Sequence, residues 1–379
     1  MKFDLDEYLS DLETIVNIDS GSNDIKGISR VADFFEEKYK NIDFKVKKHF
    51  VGNDSDTGCS LEITNTNLKE YDVLLIGHMD TVFPKGTAAE RPFSIKGRRA
   101  YGPGVIDMKS GLLLIYYIIK AVESEVTEDP LSICVVLNGD EEIGSKNSRT
   151  LIKEKAENSK VSLVFEPGRA NGDCVLERKG ISGYNLKFIG RAAHAGVEPE
   201  KGINAVVELG NWILELDKLN NYEIGTSVSL NLIEGGTASN VIPAEATASL
   251  DLRFKSKEER KKVEDKLEEL QNNPFVDGIK TEVVHRGMRP VMNPSQKTMR
   301  LWERVDKIAQ KHGMNINWQA TGGGSDANFT ANQGVPSIDG LGPAGGEAHS
   351  VDEYLELDTI EPRFKLAVDL LLSLKGNPL

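Results

Sequence analysis

The sequence predicts an α/β protein in which a doubly wound sheet is interrupted by a second, smaller domain. Three observations favour this fold class. Apolar runs at residues 73–77, 131–137 and 161–165 read as buried parallel strands, and each ends in a histidine or in acids. Residues 181–285 then follow the order β-α-β-β-α-β, which indicates a ferredoxin-like unit. The tail returns to mixed helices and strands, so one domain is inserted into another.

Apolar spacing predicts the elements before the insertion. The predicted helices are residues 4–16, 25–40 and 109–123, and the predicted early strands are residues 45–53 and 59–65. The third helix contains an apolar run at residues 112–119. This run indicates a helix that is covered on nearly every side and packs against a sheet.

The insertion and the tail are read in the same way. The predicted strands of the insertion are residues 181–189, 227–233, 246–254 and 279–285, and its helices are residues 203–219 and 258–271. The run KSKEERKKVEDKLEEL is a solvated helix face, since Val263, Leu267 and Leu270 keep an apolar stripe. The tail predicts helices at residues 297–311 and 362–374 and a strand-like VPSIDGLGPA. We therefore expect domain segments 1–178, 179–290 and 291–379.

Composition excludes several classes of partner. With 379 residues and 39% hydrophobic residues, the chain can bury two cores. Its net charge of -13 repels phosphate backbones and anionic membranes, so we expect neither nucleic acid nor membrane as a partner. The acidic N-terminus does not resemble a signal peptide. The cysteines, Cys59, Cys134 and Cys174, lack CxxC spacing and are expected to be reduced and buried. Together these features predict a soluble cytoplasmic protein.

His78 and Asp80 follow the first buried strand directly. Side chains alternate along a strand, so the two project to the same side, where one ring nitrogen can bond the carboxylate. The other ring nitrogen then remains available to a metal, and a carboxylate behind a ligating histidine fixes its tautomer. The alternative is an ordinary polar loop after a strand.

Further candidate residues lie at strand ends or in loops. The candidate metal ligands and general base are His78, Asp107, Glu141, Glu142, Glu166 and His349. Imidazole and carboxylate without thiolate favour zinc, or a neighbour such as cobalt or manganese. This set suffices for two metals if one carboxylate bridges them. Adjacent Glu141 and Glu142 cannot easily point the same way, so one can ligate while the other acts as general base. The alternative is a solvated acidic cluster.

Eight segments carry a resemblance to a known family. They are GHMDTV, AYGPGVIDMKSG, NGDEEIGS, FEPG, GRAAHAG, GGTASNVIPAEATASLDLRF, TGGGSDANF and GEAHSVDEY. In this order and spacing they resemble the co-catalytic zinc metallopeptidases, which include glutamate carboxypeptidase, aminoacylase, acetylornithine deacetylase and succinyl-diaminopimelate desuccinylase. The resemblance covers essentially the whole chain and is closest to the glutamate carboxypeptidase branch. It implies a catalytic domain built from both ends of the chain and an inserted lid domain that forms a homodimer.

The resemblance also implies the metal site. Two zinc ions per subunit are implied, for which Co²⁺ or Mn²⁺ can substitute. The implied ligands are His78 and Glu166 for one ion, Glu142 and His349 for the other, and Asp107 between them. Glu141 would be the general base that takes a proton from the attacking water, and Asp80 would orient His78. The family also has a cis peptide after its bridging aspartate, here Asp107-Met108.

The insertion has implied roles of its own. His194, in GRAAHAG, matches a histidine that reaches the partner's active site and stabilises the developing oxyanion. In SLDLRF the alternation of side chains along a strand places Arg253 on the outward side, where its guanidinium can bind a carboxylate through two hydrogen bonds. In the family the matching arginine holds the substrate's terminal carboxylate with the help of Asn240. A purely structural salt bridge is the alternative for Arg253.

The glycine-rich loop and the basic residues bear on the substrate. TGGGSDANF lacks a following Gly-Lys-Ser/Thr, which argues against nucleotide binding, and in the family this loop, here with Gly324, lines the substrate pocket. Arg289 matches a basic residue that holds a side-chain carboxylate. Residues 168–179 offer Asp173 where a lysine would complete that pocket. A strict preference for glutamate is therefore not predicted.

These features predict a metal-dependent hydrolase that cleaves an amide bond next to a free carboxylate. The first expectation is a carboxypeptidase that releases C-terminal glutamate or another amino acid from small peptides or N-acyl conjugates. An aminoacylase that acts on neutral N-acyl amino acids is the second. A non-catalytic relative is the third, although such relatives usually lose a ligand or the base, and this chain keeps all six residues.

Overall fold

The computed structural model describes residues 3–50, 58–125 and 130–376. The chain divides into two compact units. Unit 1 comprises Met1–Glu177, Met292–Thr321 and Ser325–Leu379, and unit 2 comprises Arg178–Val291 and Gly322–Gly324. Unit 1 is therefore built from both ends of the chain, and unit 2 lies between them in sequence.

Helices and strands are numbered in chain order. Within the described residues the helices are α1 (Leu5–Val16), α2 (Ile25–Lys40), α3 (Thr87–Glu90), α4 (Ser110–Glu125), α5 (Arg149–Glu157), α6 (Ala205–Asp217), α7 (Lys257–Asn272), α8 (Gln296–Lys311), α9 (Ala327–Asn332) and α10 (Ile360–Leu374). The strands are β1 (Lys45–His49), β2 (Ser60–Thr64), β3 (Val73–His78), β4 (Ser94–Lys96), β5 (Arg99–Tyr101), β6 (Ile133–Asn138), β7 (Ser162–Val164), β8 (Cys174–Arg178), β9 (Gly180–Ile189), β10 (Ser227–Gly235), β11 (Glu245–Phe254), β12 (Lys280–Arg289), β13 (Trp318–Thr321), β14 (Ser337–Ile338), β15 (Gly345–Gly346) and β16 (Tyr354–Glu356).

The main sheet of unit 1 has six strands in the order β1-β2-β6-β3-β7-β14. The three strands predicted from apolar runs, β3, β6 and β7, are neighbours and pair in parallel. β14 adds a further parallel strand, whereas β2 pairs with β6, and β1 with β2, in antiparallel fashion. Every residue of β3, β6 and β7 is buried, as expected for parallel strands with both faces covered.

The two faces of this sheet bury different residues. On one face Leu75 and Val135 belong to the large core that includes the whole apolar run of α4, residues 112–119. On the other face Val136 packs in a smaller core with Ile152 of α5 and Phe329 of α9. The alternation follows the period of two along a strand. Helices therefore cover both faces, and α4 is buried along its apolar run as predicted.

Several boundaries differ from the sequence prediction. The early strand predicted at residues 45–53 ends at His49, and residues 51–53 lie outside the described residues. The strand-like VPSIDGLGPA forms only the two residues of β14. Its strand stops because Gly340 has a φ of 73° and its N–H bonds the carboxylate of Asp339, which turns the chain into a buried loop. Helices α3, α5 and α9 and strands β4, β5, β8, β13, β15 and β16 were not predicted, and α9 begins within TGGGSDANF, which was read as a loop.

Unit 2 has the element order β9-α6-β10-β11-α7-β12. Its four strands are antiparallel and lie in the order β10-β11-β9-β12. Asn204 and Ser256 cap the first turns of α6 and α7 through their side chains. The residues of α7 that are buried are the predicted Val263, Leu267 and Leu270, so the charged run is a solvated helix face.

Two expectations from composition can be compared with the structure. The three cysteines are buried free thiols. In the part of the chain that the structure describes, no helix combines the length and the apolar character that a bilayer crossing requires.

Candidate metal centre and substrate-binding residues

Three parallel strands end at one edge of the main sheet. The register pairs His78, the last residue of β3, with Asn138, the last residue of β6. It also pairs Ile76 with Val164, so Glu166 lies level with His78. A short turn, residues 141–143, follows β6. The fold therefore brings the predicted histidine and acids of three strands to one place, as open α/β sheets do.

Five predicted ligands form two groups that share one residue. In the first group Nε2 of His78 lies 3.2 Å from Oδ1 of Asp107 and 3.7 Å from Oε1 of Glu166. In the second group Nε2 of His349 lies 3.1 Å from Oδ2 of Asp107 and 3.3 Å from Oε2 of Glu142. Within each group the candidate ligand atoms lie within 4.8 Å of one another. Asp107 thus offers one carboxylate oxygen to each group.

These contacts shift the protonation of the groups. Burial by itself lowers the pKa of His78, but the hydrogen bond to Asp107 and the nearby carboxylates of Asp80 and Glu166 outweigh it and raise that pKa well above its usual value. Burial raises the pKa of Glu166 to about 7. The hydrogen bond to Asp107 raises the pKa of His349 to about 10. The pKa of Asp107 itself falls, because the two histidines outweigh its burial.

The carboxylate of Asp80 holds the turn after β6. Its Oδ1 accepts the N–H of Glu141 at 3.0 Å, and its Oδ2 accepts the N–H of Glu142 at 3.1 Å and the hydroxyl of Ser22 at 2.7 Å. Nδ1 of His78 bonds the backbone carbonyl oxygen of Asp80 at 2.9 Å, whereas the Asp80 carboxylate is 3.4 Å away. The ring nitrogen of His78 therefore bonds the backbone of Asp80 and not, as predicted, its carboxylate, which lies close by.

The loop that carries Asp107 is held by a second buried acid. The Asp107-Met108 peptide is cis, as the resemblance implies. Glu353 is 1% exposed and accepts the N–H groups of Gly104 at 3.2 Å, Ile106 at 2.9 Å and Asp107 at 3.1 Å. Burial raises the pKa of this carboxyl to about 7.

Sequence reasoning did not single out Ser22 or Glu353. The only available signal for Glu353 is its place four residues after His349 in GEAHSVDEY, where an acid follows a candidate ligand. For Ser22 there is no signal, because its partner Asp80 is 58 residues away. Both residues contact the backbone or carboxylate groups that adjoin the candidate ligands.

The five residues of the two groups fit divalent cations. Their donors are imidazole nitrogens and carboxylate oxygens, the set that zinc and its neighbours accept. Oε1 of Glu142 is buried, and among the described residues no hydrogen-bond donor reaches it. A buried carboxylate oxygen without a donor is costly unless a cation compensates it. The site therefore suits a cation at Glu142.

In unit 2, Arg253 is half of an ion pair. Its Nε and Nη2 bond the two oxygens of Asp251 at 2.7 and 3.0 Å, and its Nη1 bonds the carbonyl oxygen of Gly322 at 3.3 Å. The two residues are two positions apart on β11, so they share one face. The structural salt bridge that the sequence left as an alternative is thus present, and the side chain of Arg253 keeps 31% exposure.

Two more arginines lie at the same glycine loop. Nη1 of Arg178 bonds the carbonyl oxygen of Gly323 at 3.1 Å, and Arg178 is buried. A Cβ on Gly324 would lie 2.9 Å from Cδ of Arg289 and 2.7 Å from Cδ1 of Ile181, so a larger residue there would have to displace these two side chains. Unit 2 therefore brings the predicted Arg289 and Gly324 together and adds Arg178, which was not predicted.

His194 and Asn240 lie on adjoining exposed loops of unit 2. The N–H of Ala195 bonds the carbonyl oxygen of Asn240 at 2.9 Å, and His194 forms an antiparallel bridge with Val241. Nδ1 of His194 accepts the N–H of Gly196 at 3.1 Å. That bond leaves Nε2 of the neutral ring as its protonated nitrogen.

A cavity of about 690 Å³ adjoins the second ligand group within unit 1. It is lined by Glu142, Ile143 and the loops at residues 21–24 and 81–85. The loops are held together, since Gly21 and Thr81 form a parallel bridge and the N–H of Ser22 bonds the carbonyl of Thr81 at 3.2 Å. Space for part of a ligand therefore exists beside the candidate metal centre.

Known proteins are similar to this chain in sequence or in fold. Residues 74–373 match peptidase family M20/M25/M40. Carboxypeptidase G2 of Pseudomonas sp. (strain RS-16) is 33% identical over 370 residues, which cover 96% of this chain and 88% of that protein. A succinyl-diaminopimelate desuccinylase of Psychrobacter sp. (strain PRwf-1) is 26% identical over 350 residues, which cover 86% of this chain and 85% of that protein. The crystal structure of aminopeptidase PepT from Bacillus cereus shares the fold, with a TM-score of 0.80, 21% identity and coverage of 98% of this chain and 99% of that one.

The pKa shifts predict how pH affects the protein once a chelator has removed any metal. The folded-state pKa of Glu166 is raised from 4.5 to about 7, so its stabilising contribution is lost as pH rises through about 7. That of His349 is raised from 6.5 to about 10, so its contribution is complete below 6.5 and lost as pH rises through about 10. We expect the free energy of unfolding, measured with urea in the presence of chelator, to fall as pH rises from 4.5 to about 10.

A matched variant isolates the contribution of His349. His349→Gln removes the titrating group, so the difference from wild type should shrink between pH 6.5 and 10 and stay constant below 6.5. A constant difference across the whole range would contradict the assignment of the raised pKa to His349.

Proposed function

The chain belongs to peptidase family M20/M25/M40, and from this premise we propose that it hydrolyses an amide bond next to a free carboxylate as a metallo-carboxypeptidase. Membership makes it a metal-dependent peptidase or amidohydrolase. The proposed products are a C-terminal amino acid, with glutamate as the first choice, and the remaining part of the peptide or acyl conjugate. The observation that carries the proposal is the pair of ligand groups that share Asp107.

We assign two zinc ions per subunit to these groups, with Co²⁺ or Mn²⁺ as substitutes. The assigned ligands are His78 and Glu166 for one ion, Glu142 and His349 for the other, and Asp107 for both. When bound, such ions lower the pKa of water and polarise a carbonyl oxygen. The orphaned oxygen of Glu142 supports this assignment.

Glu141 is the proposed general base. Its backbone is fixed by Asp80, next to the proposed ligand Glu142, and neighbouring residues in a tight turn direct their side chains differently. The carboxylate of Glu141 accepts a proton from the attacking water while the water oxygen bonds the amide carbon. The C–N bond then breaks as this proton passes to the leaving nitrogen. His194 of the partner subunit is the proposed donor to the oxyanion, through Nε2–H.

Two variants separate the base from the ligands. Glu141→Ala should abolish turnover yet keep both metals, because Glu141 moves a proton and does not coordinate. His78→Ala should lose metal, and activity should fall with it. Metal content by elemental analysis and the hydrolysis rate check both. If Glu141→Ala kept more than a few per cent of the wild-type rate, the base assignment would be wrong.

A protein without metal would point to a different class. If the wild-type protein, purified without chelator, did not contain zinc, cobalt or manganese at near-stoichiometric levels, this result would favour the non-catalytic alternative. Retention of all six proposed ligand and base residues speaks against that alternative.

We assign unit 2 as the inserted lid and dimerisation domain. Its strand order and its β-α-β-β-α-β element order support a ferredoxin-like topology. The division of the chain into two compact units supports domain segments 1–178, 179–290 and 291–379, with residues 1–178 and 291–379 forming the catalytic domain. Three buried free thiols support a reducing compartment such as the cytoplasm.

The proposed dimer surface is the outer side of unit 2 formed by β10 and α6, here called the β10 edge. It consists of the exposed side chains Val206, Val207, Leu214, Leu232 and Ile233. β10 is the outer strand of its sheet, and exposed apolar side chains on an outer strand favour association. Leu232 is the most exposed of the five at 70%. The start of α6 adjoins the end of β10, because a Cβ on Gly235 would lie 2.8 Å from Val206.

The homodimer can be tested by complementation. His194→Ala and Glu141→Ala each inactivate a different part of a site that two chains complete. Mixed and re-equilibrated, they should regain activity, up to about a quarter of all sites. If light scattering showed that the fully active wild-type protein is a monomer, the dimer would be contradicted.

A charge on the β10 edge supplies a second test. Leu232→Glu should give monomers and lower activity, because a buried unpaired carboxylate opposes association. Phe275→Glu is the control, since Phe275 is also an exposed apolar residue of unit 2 but lies outside the β10 edge. Dissociation by both variants alike would argue against this surface.

The arginines of unit 2 support an acidic leaving group. Arg253 is the proposed partner of the carboxylate next to the scissile amide, with Asn240 helping and Asp251 fixing the guanidinium plane. Arg289, packed against Gly324, is the proposed partner of a second carboxylate. The cavity beside Glu142 is the proposed place for the acyl part.

The aminoacylase alternative rests on Asp173. Oδ1 of Asp173 accepts the N–H of Asn317 at 2.8 Å, and Oδ2 accepts the side-chain N–H groups of Asn171 at 2.7 Å and Gln319 at 3.2 Å. Asp173 is therefore bonded to residues around its own turn, and as an acid it cannot replace the lysine that would complete the pocket. A pocket with fewer fixed charges discriminates less between side chains.

The substrate is tested by a rate screen over C-terminal dipeptides and N-acetyl amino acids with zinc or cobalt present. Glutamate and aspartate conjugates should be cleaved fastest. Arg289→Ala should lower kcat/KM for N-acetyl-glutamate by about 10- to 100-fold, the loss expected for one charged hydrogen bond, and should leave N-acetyl-leucine nearly unchanged. If acetyl-leucine or acetyl-methionine were cleaved faster than every acidic conjugate, the aminoacylase alternative would replace the carboxypeptidase.

A further inference from the structure

We propose that Glu353 is the positioning residue that sets Asp107 for both ligand groups. Its carboxylate fixes the backbone of residues 104–107, and through this backbone it determines where the shared carboxylate of Asp107 lies. The inference rests on the proposed metal-dependent function, because it concerns how a ligand is presented to a metal. It assigns Glu353 no contact with substrate and no part in proton transfer.

The contacts of Glu353 are concentrated on one short stretch of backbone. Oε1 accepts two N–H groups, from Ile106 at 2.9 Å and Asp107 at 3.1 Å. Oε2 accepts a third, from Gly104 at 3.2 Å. Three donors on a carboxylate that is 1% exposed make a fixed arrangement, since any movement of the loop would strand a buried donor or acceptor.

A second buried side chain also holds this loop. Lys109 is 1% exposed, and its Nζ donates to the carbonyl oxygens of Pro103 at 3.3 Å and Ile18 at 2.8 Å. Glu353 thus binds N–H groups of the loop, whereas Lys109 binds a carbonyl group of it. Of Glu353 and Lys109, only Glu353 bonds the N–H of Asp107, the shared residue itself.

Glu353 also connects Asp107 to His349. The chain runs from His349 to Glu353 in four residues and then enters β16, which pairs with β5. Strand β5 leads directly into the turn that carries Asp107. Tyr354 pairs with Tyr101 in this ladder, so the two segments are in fixed register at the point where Glu353 reaches across. One carboxylate therefore couples two ligands of the second group.

Loss of such a contact has an expected size. Residues that orient metal ligands from behind typically change metal affinity by about 10- to 100-fold when they are mutated. Glu353→Gln keeps the shape and leaves an oxygen for two of the N–H groups, but it places an amide N–H₂ against the third. Glu353→Ala removes all three acceptors. The effect on metal affinity should therefore increase from Glu353→Gln to Glu353→Ala.

The test compares Glu353→Gln and Glu353→Ala with Asp352→Asn. Asp352 is the neighbouring acid on the same segment and is exposed, so Asp352→Asn is the matched control. Three quantities are measured: zinc affinity by competition with a chelator, the visible absorption bands of the Co²⁺-loaded protein, and urea unfolding of the metal-free protein. The first two report the ligands and not the catalytic rate.

The expected result is a zinc affinity about 10- to 100-fold lower in Glu353→Gln, with altered Co²⁺ bands, and wild-type behaviour in Asp352→Asn. If the Glu353→Gln protein kept wild-type affinity and Co²⁺ bands, the proposal would be overturned, even if its metal-free form unfolded more easily, because Glu353 would then be merely structural. If Glu353→Ala does not fold, Glu353→Gln decides alone. A wild-type protein without metal affinity would instead overturn the proposed function.

Discussion

The candidate metal centre depends on the hydrogen bonds that the buried carboxylate of Asp80 accepts. This carboxylate lies just beyond one strand and accepts hydrogen bonds from the turn that follows the next strand, at Glu141 and Glu142, and from Ser22. A fully buried carboxylate is costly unless its oxygens are satisfied, and these three donors satisfy them. The proposed base and one proposed ligand therefore take their backbone positions from a residue that binds no metal itself.

The parallel sheet explains why the ligands meet at all. His78 is level with the end of β6 and with Glu166 beyond β7 because parallel strands in register end at one edge. The apolar runs that form these strands are also what makes them recognisable in the sequence, since both faces are covered by helices. Local pattern and tertiary position agree here, and so the acids after β6 and β7 could be assigned to a common site before the structure.

Other features could not be predicted, for a physical reason. Glu353 bonds the N–H of Asp107 across 246 residues, and no local pattern marks such a pair. The Arg253–Asp251 pair lies on one face of β11, so its geometry was accessible from strand parity, but whether the arginine would meet this acid or a substrate was not. The two-residue length of β14 depends on Asp339 and Gly340, whose turn ends the segment that looks strand-like in the sequence. Periodicity thus identifies strands and the residues at their ends, whereas contacts between distant loops have no period.

The insertion of unit 2 also explains how distant parts of the chain can complete unit 1. Ile181, near the start of β9, pairs with Arg289 at the end of β12, so unit 2 begins and ends at neighbouring residues. Once unit 2 has folded, it joins the two parts of unit 1 as a short loop would. The entropy of closing a loop grows with the logarithm of its length, and without residues 181–289 the loop between β7 and β14 is roughly threefold shorter, which lowers the cost by about 1 kcal/mol. This helps β14 to reach β7, and β16 to reach β5, although each partner lies on the far side of the insertion. The pairing of β16 with β5 in turn brings His349 and Glu353 to Asp107, and therefore the second ligand group depends on the neighbouring ends of unit 2.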